Sequence, residues 1–379
     1  MSNALLQWTL GAARAATDVE SLLRSFGELL TDHGVPLHRM VLPLPTNHPL
    51  VRVAGWHWSK SSSGARTGTF AITDEDPMRS AAYLRSPFPL VVDGGQERVR
   101  RRLLAADCPI DFGILPELRA AGVTDYLVLG GQLRAGERVP MTFASRAPAG
   151  FSGDDVAFIE SALPAFLIHA DLRTTADLAA TVCDTYLGRR TGSRVLAGSM
   201  RRGSVERLEA VVGFCDLRGF TAMSAAHTPE EVTVLLNRWF DAIGTQVDRT
   251  GGEILKFIGD AALVLWPVDD DPRAACARAL DAAITLEASR PADLRGGFSL
   301  HRGEVAYGNI GAANRLDFTV IGATVNLASR LEGLCSQLAS PWLVSEAVRS
   351  QVDAPLRDLG THVLKGVADA VRVWGPPPV

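Results

Sequence analysis

The sequence predicts an α+β protein: a strand-rich domain at residues 1–170, a helical connector at 171–205 and a second α+β domain at 206–379. Three observations carry this. Two helical repeats of apolar residues bracket a run of short strand-like segments in the first part. A basic, glycine-punctuated stretch follows. After it, strand and helix patterns alternate to the end.

From the N-terminus, Val19, Leu22, Leu23, Phe26, Leu29 and Leu30 recur at helical spacing, with Gly34 just past their end. HRMVLPLP, VRVAGWHW, PLVVD, DYLVLGGQL and VPMTFASR read as strands. Ser152 caps an apolar helix, SGDDVAFIESALPAFLIHADL, and LRTTADLAATVCDTYLG is helix-like as far as Gly188. The next stretch carries Arg189, Arg190, Arg194, Arg201, Arg202 and Arg207. It reads either as a solvated basic connector or as an element coupling the two domains.

In the last region LEAVVGFCD is a strand. The clearest helix follows, with Thr228 as N-cap, Pro229 at its first position and Glu231 closing a capping box. Val232, Leu235, Leu236, Trp239, Phe240, Ile243 and Val247 keep one apolar face, and Gly251 and Gly252 end it. EILKFIGDAALVLWP is a hairpin about Gly259 and Asp260. Asp271 and Pro272 start another helix. GFSLHRGEVAYGNIG and DFTVIG are strands, ATVNLASRLEGLC a helix, and PWLVSE, HVLKGV and AVRVWG complete a sheet.

Bulk properties exclude several classes. A chain that is 47% hydrophobic can bury real cores, and a net charge of −4 gives no general nucleic-acid surface. Cys108, Cys183, Cys215, Cys276 and Cys335 are odd in number and form no CxxC, which points to a reducing compartment rather than a disulfide frame or zinc site. No basic, apolar leader opens the chain and no apolar run reaches about 18 residues, so a cytoplasmic protein without a membrane span is expected.

Asp216, in FCDLRGFT, and Asp260, in KFIGDAALVLW, each stand at a glycine-containing turn after a strand. Such turns are mostly structural when alone. A cation bound to triphosphate, however, takes hard oxygen ligands, typically one or two carboxylates plus phosphate oxygens. Gly219 lets the backbone approach closely, and amides of the turn can point at phosphate.

FCDLRGFTAMS, GGEILKFIGDAALVLW, HRGEVAYGNIGA, DFTVIGATVNLASRLE and LKGV stand in this order along the chain. With them, the region from Glu206 to Gly375 resembles the class III nucleotidyl cyclase catalytic domain, of the bacterial adenylate cyclase type. The resemblance implies a ferredoxin-like βαββαβ core. It implies conversion of ATP to 3′,5′-cyclic AMP and pyrophosphate by attack of the ribose 3′-oxygen on the α-phosphorus. Asp216 and Asp260 would hold two divalent metal ions, Mg²⁺ or Mn²⁺. The backbone from Leu217 through Gly219 and Phe220 to Thr221 would contact phosphate and metal. Lys256 and Thr319 would read the purine, with Asp317, two residues earlier on the same strand face, as the second choice. Asn326 and Arg330, four apart on one helix face, would hold the ribose and the α-phosphate. Lys365 would grip the terminal phosphates. The family builds its sites between two catalytic domains, so a homodimer with shared sites is implied. A guanylate cyclase is the nearest alternative, which Lys256 argues against. A catalytically silent nucleotide-binding module is another, although no metal or transition-state residue is missing. The one departure is Ala323, where many bacterial members carry Asp.

The order helix, sheet, helix in residues 1–170 resembles a GAF-type sensory domain, implying a small-molecule effector. His33, His38, His48 and His57 do not form a metal signature. Trp56 and Trp58 share a strand face and are expected in a core, and Cys108 is expected as a buried structural thiol.

Overall fold

The computed structural model describes residues 3–45, 53–61, 64–72, 80–133, 136–198, 201 and 203–378; His48 and Arg202 lie outside them. The chain divides into two units, Met1–Thr181 and Val182–Val379.

The first unit opens with helices α1 (Asn3–Leu10), α2 (Ala12–Ala15) and α3 (Val19–Asp32). Asp18 caps α3 through a 2.7 Å bond from the Ser21 amide, and the Ser21 hydroxyl closes the capping box. Strands β1 (Arg39–Pro45), β2 (Val53–Ser61) and β3 (Gly64–Ile72) come next, then α4 (Ala81–Leu84), α5 (Phe88–Val92), β4 (Arg98–Arg102) and α6 (Leu115–Ala120). Strands β5 (Asp125–Gln132) and β6 (Arg138–Ser145) precede α7 (Gly153–Leu187). The sheet is antiparallel in the order β3-β2-β1-β6-β5-β4.

Its two faces follow from the period-two alternation of strand side chains. Met40, Leu42, Leu127, Met141 and Phe143 meet Leu22 and Phe26 of α3 and Ile159 and Phe166 of α7 in the main core. Trp58 is buried in that core and Trp56 packs against it, as their spacing predicts. Tyr126, Val128 and Ala144 point the other way, toward Val91, Leu115 and Leu118.

Several local expectations are corrected. PLVVD lies in helix α5, not in a strand, because Pro87 and Pro89 fix backbone angles suited to a helix start and Pro89 cannot donate to a ladder. The two helices read around residue 171 are one 35-residue helix, α7, which Ser152 caps by accepting from the Asp155 amide at 3.1 Å. Strands β3 and β4 went unread, the first for its glycines and the second for its four arginines. Cys108 is half-buried at the edge of the second core rather than buried.

In the second unit, α8 (Arg189–Leu196) leads into β7 (Val205–Leu217), α9 (Phe220–Ala226), α10 (Pro229–Arg249), β8 (Glu253–Ile258), β9 (Ala261–Pro267), α11 (Pro272–Ser289) and β10 (Gly296–Ala312). Then come β11 (Arg315–Ile321), α12 (Ala323–Gln337), β12 (Trp342–Ser345), α13 (Glu346–Arg349), β13 (Arg357–His362) and β14 (Val371–Gly375). The sheet runs β13-β14-β12-β10-β7-β9-β8, with β11 folded back on β10. Strands β7, β8, β9 and β10 with α10 and α11 make the expected βαββαβ core, in spatial order β10-β7-β9-β8.

The capping box of α10 is formed: the Thr228 amide donates to Glu231 at 2.8 Å and the Glu231 amide to Thr228 Oγ1 at 3.3 Å. That helix lays Trp239, Ile243 and Val247 on one sheet face with Ala279, Ala283 and Leu286 of α11. On the other face Val212, Leu263, Leu265, Tyr307 and Phe318 pack with Ala328 of α12. HVLKGV is not a strand beyond His362. Residues 363–370 turn, with the Val367 amide bonded to the Leu364 carbonyl at 3.1 Å, and Leu364 is buried against Leu331 and Leu334 of α12. Among the described residues no helix is long and apolar enough to cross a membrane.

Candidate active site

Strand β7 is held on both sides, by β10 from Gly308↔Val205 to Gly296↔Leu217 and by β9 from Ala210↔Pro267 to Cys215↔Ala262. Asp216 therefore leaves the sheet from a fixed strand end. Gly219 follows at φ +72° and is the residue before α9. A side chain is strained at that backbone angle, so glycine suits the turn. Gly259, at φ +65°, plays the same part before Asp260 in the β8–β9 turn.

The two turns bring the Asp216 and Asp260 carboxyl groups beside each other. Burial, the adjoining Asp260 carboxyl and the nearby Glu332 charge push the Asp216 carboxyl well above the usual carboxylate range, although its Oδ1 also accepts from the Leu217 amide at 2.9 Å. Two carboxylates this close repel one another when both are charged, and a cation between them relieves that repulsion. Carboxylate oxygens are the donors that Mg²⁺ and Mn²⁺ take, so the residues present fit a divalent cation. Among the described residues no group of three or more His, Cys, Asp or Glu forms a closed metal cage. Such a pair leaves coordination positions for phosphate.

Two neighbours escaped the sequence reading. Glu332, on α12, is half-buried and its carboxyl is pushed up by burial and by the Asp260 charge, with Arg218 opposing. The Arg218 guanidinium and the Glu332 carboxylate both reach over Gly297, where a Cβ would lie 2.9 Å from each. Arg218 also donates to the Ser340 carbonyl at 2.9 Å. The local sequence gives no signal for this cluster, because Arg218, Gly297 and Glu332 meet only through the fold.

Lys256 and Asp317 are also brought together, as an ion pair across β8 and β11. Thr319 lies on the same face of β11, is buried, and its hydroxyl has no hydrogen-bond partner among the described residues. Leu217 is buried and Phe220 half-buried against the second unit's core beside α10 and α11, so the turn offers its backbone there, while the Thr221 side chain is exposed. Lys365 is exposed in the turn anchored by Leu364. Asn326 and Arg330 lie exposed on α12, and among the described residues neither side chain has a hydrogen-bond or ion-pair partner. The opposite side of that helix buries Ala328, Leu331 and Cys335. The single chain thus joins the carboxylates to each other and the lysine to Asp317. It leaves Asn326 and Arg330 facing outward.

Residues 205–352 match the family described as the adenylate and guanylate cyclase catalytic domain. The second unit is a class III cyclase catalytic domain. An adenylate cyclase of Anabaena cylindrica is 35% identical over 192 residues, and adenylate cyclase 1 of Rhizobium meliloti 36% identical over 181 residues. These alignments cover 45% and 44% of this chain but only 37% and 27% of those relatives. Among solved structures, the adenylyl cyclase CyaB of P. aeruginosa aligns with 45% of this chain and 95% of its own, at 28% identity and a TM-score of 0.41. The guanylyl cyclase Cya2 aligns with 45% of this chain and 92% of its own, at 29% identity and a TM-score of 0.37. The cyclase match starts at the first residue of β7 and thus takes in Asp216, Lys256, Asp260, Asn326 and Arg330.

Proposed function

We propose that this chain is an adenylate cyclase, converting ATP to 3′,5′-cyclic AMP and pyrophosphate, with residues 1–170 as its regulatory domain. The observation that carries the reading is the meeting of Asp216 and Asp260 at two glycine turns inside a cyclase domain. Those carboxylates are assigned the two divalent cations. When bound, the cations would supply acidification of the 3′-hydroxyl and charge neutralisation at the triphosphate. Backbone amides from Leu217 to Thr221 orient the phosphates. Lys365 holds the terminal phosphates as a point charge.

Lys256 supplies a donor to the ring nitrogen that adenine leaves unprotonated and guanine does not. The unpartnered Thr319 hydroxyl supports its role as the second base contact, and Asp317 is the partner Lys256 keeps when no base is present. Asn326 and Arg330 hold the ribose and the α-phosphate of the site on a second copy of the chain. Their outward-facing, unpaired side chains support that arrangement. Arginine suits the α-phosphate because its planar fork donates to two oxygens at once.

The test is turnover of ATP and of GTP by the full-length protein with Mg²⁺ or Mn²⁺. Cyclic AMP formation with kcat/KM for ATP well above that for GTP is the expected outcome. Preference for GTP would make it a guanylate cyclase, and no turnover of either would make the domain a silent nucleotide binder.

A further inference from the structure

We propose that the first unit binds a small organic anion with an apolar, ring-sized body, in a cavity between its sheet and the helices α4 to α6. The cavity has a volume of about 470 Å³. That lies within the ~300–1,000 Å³ typical of pockets for drug-sized molecules. It opens on the sheet face turned away from the main core, beside the smaller cluster built by α5 and α6. Helices α4, α5 and α6 stand over that face, and the cavity is floored by residues of β1, β5 and β6.

The lining gives the ligand class. Val41, Phe88, Ile114 and Leu118 are apolar walls suited to a ring. Tyr126 and Thr142 bring hydroxyl groups to the sheet floor. Burial keeps the Tyr126 phenol neutral. Among the described residues Arg39 and Arg85 line the cavity against one acidic residue, Glu117, which leaves that lining net positive. Neither arginine has an ion-pair partner among the described residues. Elsewhere in this unit Arg98, Arg100 and Arg101 are each paired, with Glu160, Asp125 and Asp111. Guanidinium groups left for a ligand beside apolar walls suit a carboxylate, sulfonate or phosphate carried on an aromatic frame. The inference concerns binding by the first unit and stands whether or not the second unit prefers ATP.

The experiment uses 8-anilinonaphthalene-1-sulfonate as the anionic probe and N-phenyl-1-naphthylamine as its uncharged counterpart, titrated by fluorescence into the full-length chain. Saturable binding of the anion is expected. Arg39→Ala/Arg85→Ala should weaken it at least tenfold and change the neutral probe's affinity less than threefold. Both arginines are exposed, so the double variant should fold. Ala81→Trp and Ile114→Trp, at exposed lining positions, should each abolish the saturable phase while the circular dichroism melt is unchanged. Anion binding that survives both tryptophan variants would place it elsewhere on the molecule. Equal weakening of the two probes by the arginine substitutions would remove the anion from the proposal.

Discussion

At the scale of single residues, the carboxylate pair is the most sharply tested feature. Asp216→Ala or Asp260→Ala should lower cyclisation well over tenfold, beyond about 1.4 kcal/mol of barrier, with the melt retained. A steady-state assay that finds more than a tenth of the wild-type rate in Asp216→Ala would dissolve the metal assignment. For the base, Lys256→Glu should depress ATP turnover and change the ATP:GTP ratio of kcat/KM. An unchanged ratio would mean that Lys256 does not read the purine. A third residue governs stability rather than chemistry. His301 bonds through Nδ1 to Ser345 Oγ at 2.7 Å, and burial with the Arg302 charge holds it down to about 4. Its folded pKa is below the unfolded value of about 6.5, so between those values the unfolded chain binds the extra proton. Its contribution is therefore fully present above about pH 6.5 and is lost as pH falls toward about 4. Denaturant melts from pH 7 to 4 should show this loss, and His301→Gln should flatten it; an equal slope in the variant would assign the loss to other groups.

At the scale of elements, α8 is more than a solvated connector. Glu253, at the start of β8, accepts from the Arg190 and Thr191 amides at 3.1 and 3.2 Å, and the Thr191 and Tyr307 hydroxyls share a buried 2.6 Å bond. Arg194 pairs with Glu206 and lies over the Tyr307 ring at 5.2 Å. Gly188, at φ +83°, permits this docking, since a Cβ there would lie 2.5 Å from Glu253 Oε1. Strand β8 carries Lys256 three residues after Glu253, so the clamp touches the strand proposed to read the base. Glu253→Gln, or two residues inserted after Gly188, should leave a folded cyclase domain whose rate no longer responds to changes in the first unit. Unaltered basal and effector-dependent rates would make α8 a passive tether. The α10 capping box, the Gly259–Asp260 hairpin and the strand that ends at Asp216 were legible in sequence, because local periodicity and caps determine them. PLVVD was misread because four apolar residues between turns suit either a strand or a short helix, and the proline geometry decided it. The Arg218–Glu332 cluster, the α8 clamp and the Lys256–Asp317 pair were not legible. Each joins residues distant in the chain, and no spacing rule reports such contacts.

At the scale of the whole molecule, the proposed site has its metal and base residues in one group and its ribose and α-phosphate residues in another. Asp216, Asp260 and Lys256 lie at turn and strand positions of one sheet end, while Asn326 and Arg330 face outward on α12. A two-fold symmetric pair would supply each site with both halves and create two equivalent sites. This is the central claim, and mixing two inactive variants tests it most directly. Asp216→Ala and Asn326→Ala should each be inactive alone. After subunit exchange, about half of the dimers are mixed, each with one intact site of two, so activity should recover to about a quarter of wild type. Cyclic AMP production at that level by heterodimers verified with two affinity tags is the predicted result; verified heterodimers no more active than either parent would contradict a site shared between two copies.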